Sequence, residues 1–289
     1  MTITANDIAK LRASTGAGMM DCKKALDEAE GNMDLAAEIL RKKGIVKAAK
    51  RADKIAAEGL VYGQALEGNK VGALVEVNSE TDFVAKSEDF VNFVKVLAET
   101  VAKNNPSDLD NLQTLNLASG ETVAEALNTL TVKIGEKINI RRFERYEGVV
   151  VGLYLHGAKI GVLIELEGGG VNTANDLAMH IAASNPKCLD RTMVSQVDLD
   201  KEKEIASAQL REQGKPENII ENILKGKMEK YYEENCLVDQ IFIKDETLKV
   251  KDLLVKNGAS IKRYVRFELG EGIEKGGCDF VAEVQAQLK

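Results

Sequence analysis

An internal repeat begins with EGLVYGQALEGNKVGALVEV at residues 58–77 and returns as EGVVVGLYLHGAKIGVLIEL at residues 147–166. Ten of the 20 aligned positions are identical, without a gap. Each copy has two runs of β-branched and aliphatic residues around a glycine, Gly68 or Gly157, which is typical of a strand, a turn and a second strand. The sequence therefore predicts two related β-hairpins.

A second pair of similar segments closes each repeat. Residues 140–145, IRRFER, resemble residues 261–266, IKRYVR, and we expect each segment to be a strand that returns to its hairpin. The hairpins start 89 residues apart but the closing strands start 121 residues apart, so the second copy contains about 32 extra residues. The two halves share one plan of hairpin, helices and returning strand, with an insertion in the second half.

The insertion is predicted at residues 199–233 as a hairpin of two helices. The apolar faces consist of Leu199, Ile205 and Leu210 on the first helix and of Ile219, Ile223 and Met228 on the second. Gly214 after one helix and Pro216 at the start of the next are the expected punctuation. An arm of this kind is more often a docking or dimerisation device than a catalytic one.

The N-terminal segment predicts a module of three short helices. Thr4 and Asp7 form a capping box, and Gly16 ends the first helix. Asp21 is expected to cap the second helix, and Gly44 to end the third. The apolar positions of the second and third helices are Cys22, Ala25, Leu26, Leu35, Ile39 and Leu40. Residues 41–54 contain seven basic residues, which suit a solvated helix or linker.

These patterns predict an α+β protein. The expected domains are residues 1–55 for the three-helix module and its basic linker, 56–146 for core subdomain N, 147–198 with 234–266 for core subdomain C, 199–233 for the helical insertion, and 267–289 for a C-terminal module. The sheets of both subdomains should be antiparallel, because hairpins form them.

Composition excludes several classes of function. The 289 residues carry a formal charge of −7, which should repel nucleic acid and anionic lipid. The first residues lack the pattern of a secretory signal, and no apolar run is long enough to span a membrane. Four cysteines lie far apart and predict reduced thiols rather than a disulfide framework. These features together predict a cytoplasmic protein.

Nucleotide-binding and catalytic motifs are missing from the sequence. No GxxxxGK[ST] motif occurs, and the Gly16-Ala17-Gly18 segment has neither a preceding strand nor a third glycine. The two histidines are His156 and His180, and no Ser, Cys or carboxylate constellation accompanies His156. We therefore expect no cofactor, no resident metal and no covalent chemistry, and we interpret His156 as a surface contact.

Residues 74–86, LVEVNSETDFVAK, run from an apolar strand into a helix, and two interpretations of this corner differ. In the first, Ser79, Thr81 or Asp82 caps the helix and Phe83 packs in the core. In the second, Phe83 faces outward beside Asp82 as an aromatic wedge. Residue chemistry alone favours the first interpretation.

Several strings of the chain resemble the bacterial elongation factor Ts family. They are TGAGMMDCKKAL at residues 15–26, TDFVAK at 81–86, IGE at 134–136, INIRR at 138–142, HIAAS at 180–184 and FELGEGIEK at 267–275. Their order and spread cover most of the chain. The resemblance implies an N-terminal module like the ubiquitin-associated domain, two related core subdomains, and a coiled-coil hairpin for dimerisation.

The resemblance also implies a function and its residues. Members of this family are guanine-nucleotide exchange factors for elongation factor Tu, and they act by dislocating its Mg²⁺. Carried over, the residues that disturb the Mg²⁺ site are Thr81, Asp82, Phe83 and Val84, and further contacts come from Arg12, Met19, Met20, Ile134, His156, Glu271 and Lys275. The expected assembly is a homodimer that forms a heterotetramer with elongation factor Tu. Because two adjacent methionines cannot both face inward, at least one of Met19 and Met20 should be exposed.

Parts of the sequence also suggest two other classes of protein. A nucleic-acid or ribosome binder is suggested by the basic residues 41–54 and by Arg141 and Arg142, but the acidic net charge and the scarcity of aromatic residues oppose it. A ubiquitin-binding module is suggested only by the three-helix head. The sequence contains no set of residues that is typical of a catalytic site, so it does not suggest an enzyme.

Overall fold

The computed structural model describes residues 3–50 and 53–274. The chain forms two compact units: the first combines the described parts of residues 1–64, 73–144 and 267–289, and the second combines residues 65–72 and 145–266. The finer division into five domains stays a prediction. Among the described residues, no helix has the length and apolar character required to cross a membrane.

The molecule mixes helices with antiparallel sheets, which confirms the predicted α+β class. The helices are α1 (Ala5–Thr15), α2 (Met19–Glu28), α3 (Met33–Lys50), α4 (Asp82–Ala85), α5 (Glu88–Asn104), α6 (Leu109–Thr114), α7 (Val123–Ile134), α8 (Gly170–Ser184), α9 (Gln196–Glu212), α10 (Glu217–Asn235) and α11 (Val250–Asn257). The strands are β1 (Glu58–Leu66), β2 (Val71–Ser79), β3 (Ile138–Glu147), β4 (Val150–His156), β5 (Ile160–Glu167), β6 (Ile241–Phe242), β7 (Asp245–Lys249) and β8 (Ser260–Glu268).

The three N-terminal helices share a small core that includes Leu11, Cys22 and Leu26. The capping box of Thr4 with Asp7 is present, and Gly16 ends α1 with a left-handed conformation at φ 67°. Both features were predicted because they depend on local residue chemistry.

Two predicted helix ends in this head are wrong. Asp21 does not cap α2, because the helix begins earlier, at Met19, with Gly18 as its N-cap. Gly44 does not end α3, which continues to Lys50. A glycine inside a helix costs about 1 kcal/mol, which flanking helical residues can offset. Leu35, predicted to face the core, is exposed, and Ala36 is buried instead.

The head packs on α7 within the first unit. Helix α3 contacts α7, and the Arg41 guanidinium forms an ion pair with Glu125 near the start of α7. Glu125 also completes a capping box with Thr122, so one carboxylate serves both the helix cap and the head contact. The backbone amide and the Arg41 guanidinium lower the pKa of Glu125.

Both predicted hairpins and both closing strands are present. The first sheet has the order β1-β2-β3 and the second has the order β4-β5-β8. In the second sheet β4 and β5 pair antiparallel, with Gly152 opposite Ile164 and His156 opposite Ile160. Gly68 and Gly157 lie in the turns with φ of 65° and 55°, a region that glycine enters without a steric penalty.

Each repeat contains a buried glutamate at the same position of its second strand. In the first unit, Glu76 accepts hydrogen bonds from Arg141 at 2.8 Å and from Arg142 at 2.6 Å. In the second unit, Glu165 accepts from Lys262 at 2.8 Å and from Arg263 at 2.6 Å. Each carboxylate thus ties the hairpin to the basic pair of its closing strand.

This arrangement changes the interpretation of Arg141 and Arg142. The sequence offered them as a basic surface for nucleic acid, but both bind the buried carboxylate of Glu76. Two guanidinium groups committed to an internal carboxylate have less charge available for a phosphate backbone. The structure therefore gives no support to a nucleic-acid site at this pair.

The insertion is a hairpin of α9 and α10, as predicted, but two of its inward positions are wrong. Leu199, Leu210 and Met228 are buried as expected. Ile205 and Ile219 are exposed, and their neighbours Ala206 and Ile220 are buried instead. The predicted stripe is thus shifted by one residue at these two points.

Candidate partner-binding site

Phe83 lies at the corner between β2 and α4, and 80% of its surface is accessible. Helix α4 has a single turn, and its next two residues, Val84 and Ala85, are buried. Successive side chains of a helix are rotated by about 100°, so Phe83 points away when Val84 and Ala85 point inward. The expectation that Phe83 packs in the core is wrong.

Thr81 holds this corner in place. It is the N-cap of α4, and its Oγ1 accepts the Val84 N–H at 3.4 Å. Its own N–H and hydroxyl donate to the two carboxylate oxygens of Glu136, at 3.0 Å and 2.8 Å. The capping interpretation is therefore confirmed for Thr81. The bidentate carboxylate fixes the backbone two residues before the exposed ring.

Asp82 is the first residue of α4, and its carboxylate lies on the surface. Lys86 Nζ lies 2.6 Å from Asp82 Oδ2. Both side chains are well exposed, so the pair contributes at most about 1 kcal/mol to stability. Asp82 therefore adds a carboxylate beside the aromatic ring at little cost in folding free energy.

The C-terminal segment near Glu271 is bound to the first unit through the buried Glu76. The Gly270 N–H donates to Glu76 Oε1 at 2.8 Å, and the Arg141 guanidinium donates to the Glu271 carbonyl. Arg142 reaches the Glu271 carboxylate at 3.1 Å. Burial raises the pKa of Glu76, but the amide and the two guanidinium groups outweigh it and hold the pKa below its ordinary value.

The head places its three expected contact residues at the surface. Arg12 lies on α1 and is exposed. Met19 and Met20 are the first residues of α2 and are 56% and 64% exposed. The prediction that at least one methionine is exposed is confirmed, and both in fact are. Flexible, polarizable methionine side chains suit a surface that must adapt to a partner.

The remaining expected contact residues are spread over the chain. Ile134 is the last residue of α7 and is half-buried, beside Gly135, which ends the helix at φ 80°. His156 belongs to the second unit, is exposed at the end of β4, and its Nδ1 lies 3.4 Å from the Tyr154 hydroxyl. Lys275 lies outside the described residues.

The second histidine, His180, is a structural residue of the second unit. Ile243 N–H donates to its Nδ1 at 3.2 Å, so Nε2 carries the proton and donates to Gln240 Oε1 at 2.9 Å. Burial lowers the pKa of His180, and the bond to Gln240 opposes this only in part. The neutral ring fastens α8 to the segment that enters β6.

Metal-ligand geometry is missing from the part of the chain that the structure describes. In residues 3–50 and 53–274, no three side chains of His, Cys, Asp or Glu come together in a group that could hold a metal ion. Among the expected contact residues, Phe83 and the methionine pair of the head expose the most apolar surface.

Sequence reasoning missed two residues that shape this site. Glu136 clamps Thr81, and Glu76 binds both the closing strand and the C-terminal segment. A signal for each was present: Glu136 follows the helix-ending Gly135, and Glu76 aligns with Glu165 in the repeat. A charged residue inside an apolar strand must be paired when it is buried.

Comparison with known proteins defines the class and then the family. The family model described as "Elongation factor TS" matches residues 80–271. Full-length relatives named elongation factor Ts are 49% identical in Thioalkalivibrio sulfidiphilus and 47% identical in both Alkalilimnicola ehrlichii and Halothermothrix orenii. Each alignment covers the whole chain and 99% of the relative. These matches place the chain among the translation elongation factors. It belongs to the elongation factor Ts family.

Proposed function

We propose that the protein is a guanine-nucleotide exchange factor for elongation factor Tu. It binds elongation factor Tu·GDP, disturbs the Mg²⁺ site and the phosphate-binding region, and is displaced when GTP binds. The observation that carries the proposal is Phe83, exposed on a corner that Thr81 and Glu136 hold in place. The names of the relatives support the same activity.

The wedge acts on the partner's metal, not on one of its own. Mg²⁺ demands near-ideal octahedral geometry, so a small displacement of its surroundings weakens its coordination. Losing the metal leaves the nucleotide phosphates less neutralised, and GDP leaves faster. In this proposal Phe83 enters an apolar gap of the GTPase and Asp82 disturbs the electrostatics near the metal, while Thr81 holds both residues in place as the helix cap. Val84 anchors the corner from within.

One aromatic ring alone cannot account for a large acceleration of GDP release. Burying a Phe side chain is worth roughly 1.5–3 kcal/mol. Since about 1.4 kcal/mol corresponds to a factor of ten, Phe83 supplies an acceleration of about ten- to a hundredfold. Additional contacts must provide the rest. We propose Arg12, Met19 and Met20 of the head, together with Ile134, His156, Glu271 and Lys275.

Thermodynamic linkage accounts for release of the factor. A factor that prefers the nucleotide-free GTPase weakens nucleotide binding by the same free energy by which nucleotide weakens binding of the factor. GTP binding therefore ejects the factor. We place this cycle in the cytoplasm, where a translation factor meets the ribosome, and the factor needs no cofactor of its own for it.

The test measures release of labelled GDP from elongation factor Tu. Phe83→Ala should slow stimulated release by about tenfold or more. The matched control is Val255→Ala, because Val255 on α11 is 81% exposed and stands outside the proposed site. Equal rates for Phe83→Ala and the unaltered protein would remove the wedge.

A second arm tests the role of Mg²⁺. Chelation removes the metal directly and speeds GDP release from elongation factor Tu by itself. The defect of Phe83→Ala should then shrink, because the step that the ring assists is already complete. A defect of unchanged size in the chelator would contradict metal displacement while leaving partner binding intact.

We also propose a homodimer through the helical hairpin, and a heterotetramer with elongation factor Tu. Exposed apolar side chains on α9 and α10 support this: Val197, Ile205 and Ile219. Replacing residues 199–233 by a short linker should leave exchange per chain nearly intact and lower the sedimentation coefficient to that of a monomer. If the sedimentation coefficient fell only by the amount expected from the lost residues, with the same number of chains in each particle, the dimer would be contradicted.

A further inference from the structure

Two cysteines of the second unit meet at the base of the helical hairpin. Cys188 precedes α9 and Cys236 directly follows α10, 48 positions later. Their sulfur atoms lie 3.5 Å apart, and both are free thiols. Sequence spacing gave no sign of this pair, since nothing in the cysteine pattern tells which segments the fold brings together.

The backbone holds the two residues at the separation that a disulfide requires. Cys188 and Cys236 form a parallel β-bridge. The Cys188 N–H donates to the Asn235 carbonyl at 3.2 Å, and the Leu237 N–H donates to the Cys188 carbonyl at 2.9 Å. Bridged segments lie roughly 4.8 Å apart, inside the range of about 4.4–6.8 Å between the Cα atoms of disulfide-linked residues. Closing the bond needs side-chain movement only.

The two thiols differ in their access to solvent. Cys188 is half-buried, and its thiol donates to Cys236 Sγ. Cys236 is fully buried, and burial, together with the neighbouring Cys188, raises the pKa of its thiol to about 12. Cys188 is therefore the thiol that an external reagent meets first, and Cys236 is the resolving partner behind it.

A groove of about 650 Å³ leads to Cys188. Four cationic residues are among those that line it: Lys187, Lys262, Arg263 and Arg266. Lys262 and Arg263 share the single carboxylate of Glu165, so within this cluster the cations outnumber the carboxylate that binds them. A small molecule that carries carboxylates is attracted to such a groove.

We propose that Cys188 and Cys236 are a disulfide-forming pair, oxidised by thiol–disulfide exchange with an anionic low-molecular-weight disulfide. In the first step Cys188 loses its proton to water and its thiolate attacks one sulfur of the small disulfide; the S–S bond breaks, and the small thiolate that leaves takes up a proton. In the second step Cys236 loses its proton to water and attacks the Cys188 sulfur; the mixed disulfide breaks, and the second small thiolate leaves and takes up a proton. Two protein thiols are oxidised and one small disulfide is reduced to two thiols.

The new bond would close the hairpin covalently at its base. It would link the two ends of the segment that contains α9 and α10, and leave the tip of the arm untouched. Cross-linking residues 48 positions apart restricts the unfolded chain, and we expect the melting temperature to rise by about 5 °C or more.

The experiment uses the full-length protein and oxidised glutathione. After incubation, intact mass should fall by two hydrogen atoms, and peptide mapping should find one cross-linked pair that contains Cys188 and Cys236. Dithiothreitol should reverse both changes. The matched control is Cys22→Ser, because Cys22 is buried in the head and its thiol donates to the Ala17 carbonyl. This variant should cross-link as the unaltered protein does.

Two single variants separate the steps. Cys188→Ser should lose the reaction, and Cys236→Ser should stop at a mixed disulfide on Cys188. Peptide mapping of the unaltered protein decides the matter even if a variant does not fold. Unreactive thiols, a bond from either residue to Cys278, or glutathione retained on Cys188 of the unaltered protein would each overturn the proposal.

A neutral disulfide tests the role of charge. For each disulfide, the rate of reaction with Cys188 is divided by its rate with a free cysteine peptide. This ratio should be several-fold larger for oxidised glutathione than for hydroxyethyl disulfide, and added salt should remove the difference. Equal relative rates at low salt would overturn the anionic class of oxidant. Disulfide formation with both reagents would still establish the pair.

Discussion

At the corner between β2 and α4, the residues that stabilise the fold are different from the residue that is proposed to act on the partner. Phe83 keeps 80% of its surface accessible, so its ring adds little to the folding free energy. Val84 and Ala85 supply the buried anchor, and Thr81 supplies the cap. We therefore expect the unfolding free energy of Phe83→Ala, measured by denaturant titration, to lie within about 0.5 kcal/mol of that of the unaltered protein.

Glu136 offers a second prediction at this scale. Glu136→Ala removes the carboxylate that accepts both the N–H and the hydroxyl of Thr81. Hydrogen bonds to a charged group are worth about 1.5–3 kcal/mol, so we expect a loss of about 2 kcal/mol in unfolding free energy. Stimulated GDP release should fall between that of the unaltered protein and that of Phe83→Ala.

The matched control for Glu136→Ala is Lys86→Ala, which breaks only the exposed pair with Asp82. This variant should change the unfolding free energy by less than about 1 kcal/mol. If Glu136→Ala were as stable and as active as the unaltered protein, the carboxylate clamp would have no part in presenting the ring.

His180 predicts a pH dependence of stability. Its pKa is lowered in the folded state, because burial favours the neutral ring. As the pH decreases below the unfolded pKa, near 6.5, the unfolded chain binds the proton more readily than the folded chain does. The unfolding free energy therefore decreases, in total by about 1.4 kcal/mol for each pH unit by which folding lowers the pKa. His180→Gln keeps a donor to Gln240 but does not titrate. Between pH 7 and pH 5 its unfolding free energy should fall less than that of the unaltered protein.

Among the elements, the helical hairpin offers an internal comparison of two adjacent isoleucines. Ile219 is exposed and Ile220 is buried. Ile219→Ser should leave the unfolding free energy almost unchanged and weaken self-association, measured by sedimentation. Ile220→Ser should lower the unfolding free energy by roughly 2–5 kcal/mol, because it opens a cavity in the helix contact. The reverse order of effects would place the dimer surface elsewhere.

Local residue chemistry explains which elements could be predicted from the sequence. Gly68, Gly157 and the Thr4–Asp7 box act through their own backbone, and all were predicted correctly. The face of α10 was not, because adjacent isoleucines fit two helical stripes equally well, and only packing against α9 selects one. The meeting of Cys188 with Cys236 depends on tertiary structure, so no local pattern could reveal it. The exposure of Phe83 was one of two interpretations of its corner, and the burial of Val84 and Ala85 selects it.

At the scale of the whole molecule, the two buried glutamates predict sensitivity to acid. The pKa values of Glu76 and Glu165 lie below their ordinary value: burial raises them, but the bonded cations lower them more. Their stabilisation is complete above the unfolded pKa, about 4.3, and is lost as the pH falls through the folded values.

The double variant Glu76→Gln with Glu165→Gln tests this prediction. It should be less stable than the unaltered protein at pH 7, because the cations lose their carboxylates. The gap between the two proteins should narrow as the pH falls below the unfolded pKa, about 4.3, because the unfolded chain then takes up protons that the folded carboxylates still resist. A gap that stays constant from pH 7 to pH 3 would contradict the assigned role of the carboxylates.

The two glutamate contacts also show how an arm could be added to one repeat so easily. The contact from Glu76 to Arg141 spans 65 positions, and the contact from Glu165 to Lys262 spans 97. The entropy of closing a chain grows only with the logarithm of its length, so the longer span costs about 0.4 kcal/mol more. One methylene group transferred out of water more than repays that difference. A repeat closed by a distant strand can therefore gain a long appendage with almost no loss of folding free energy.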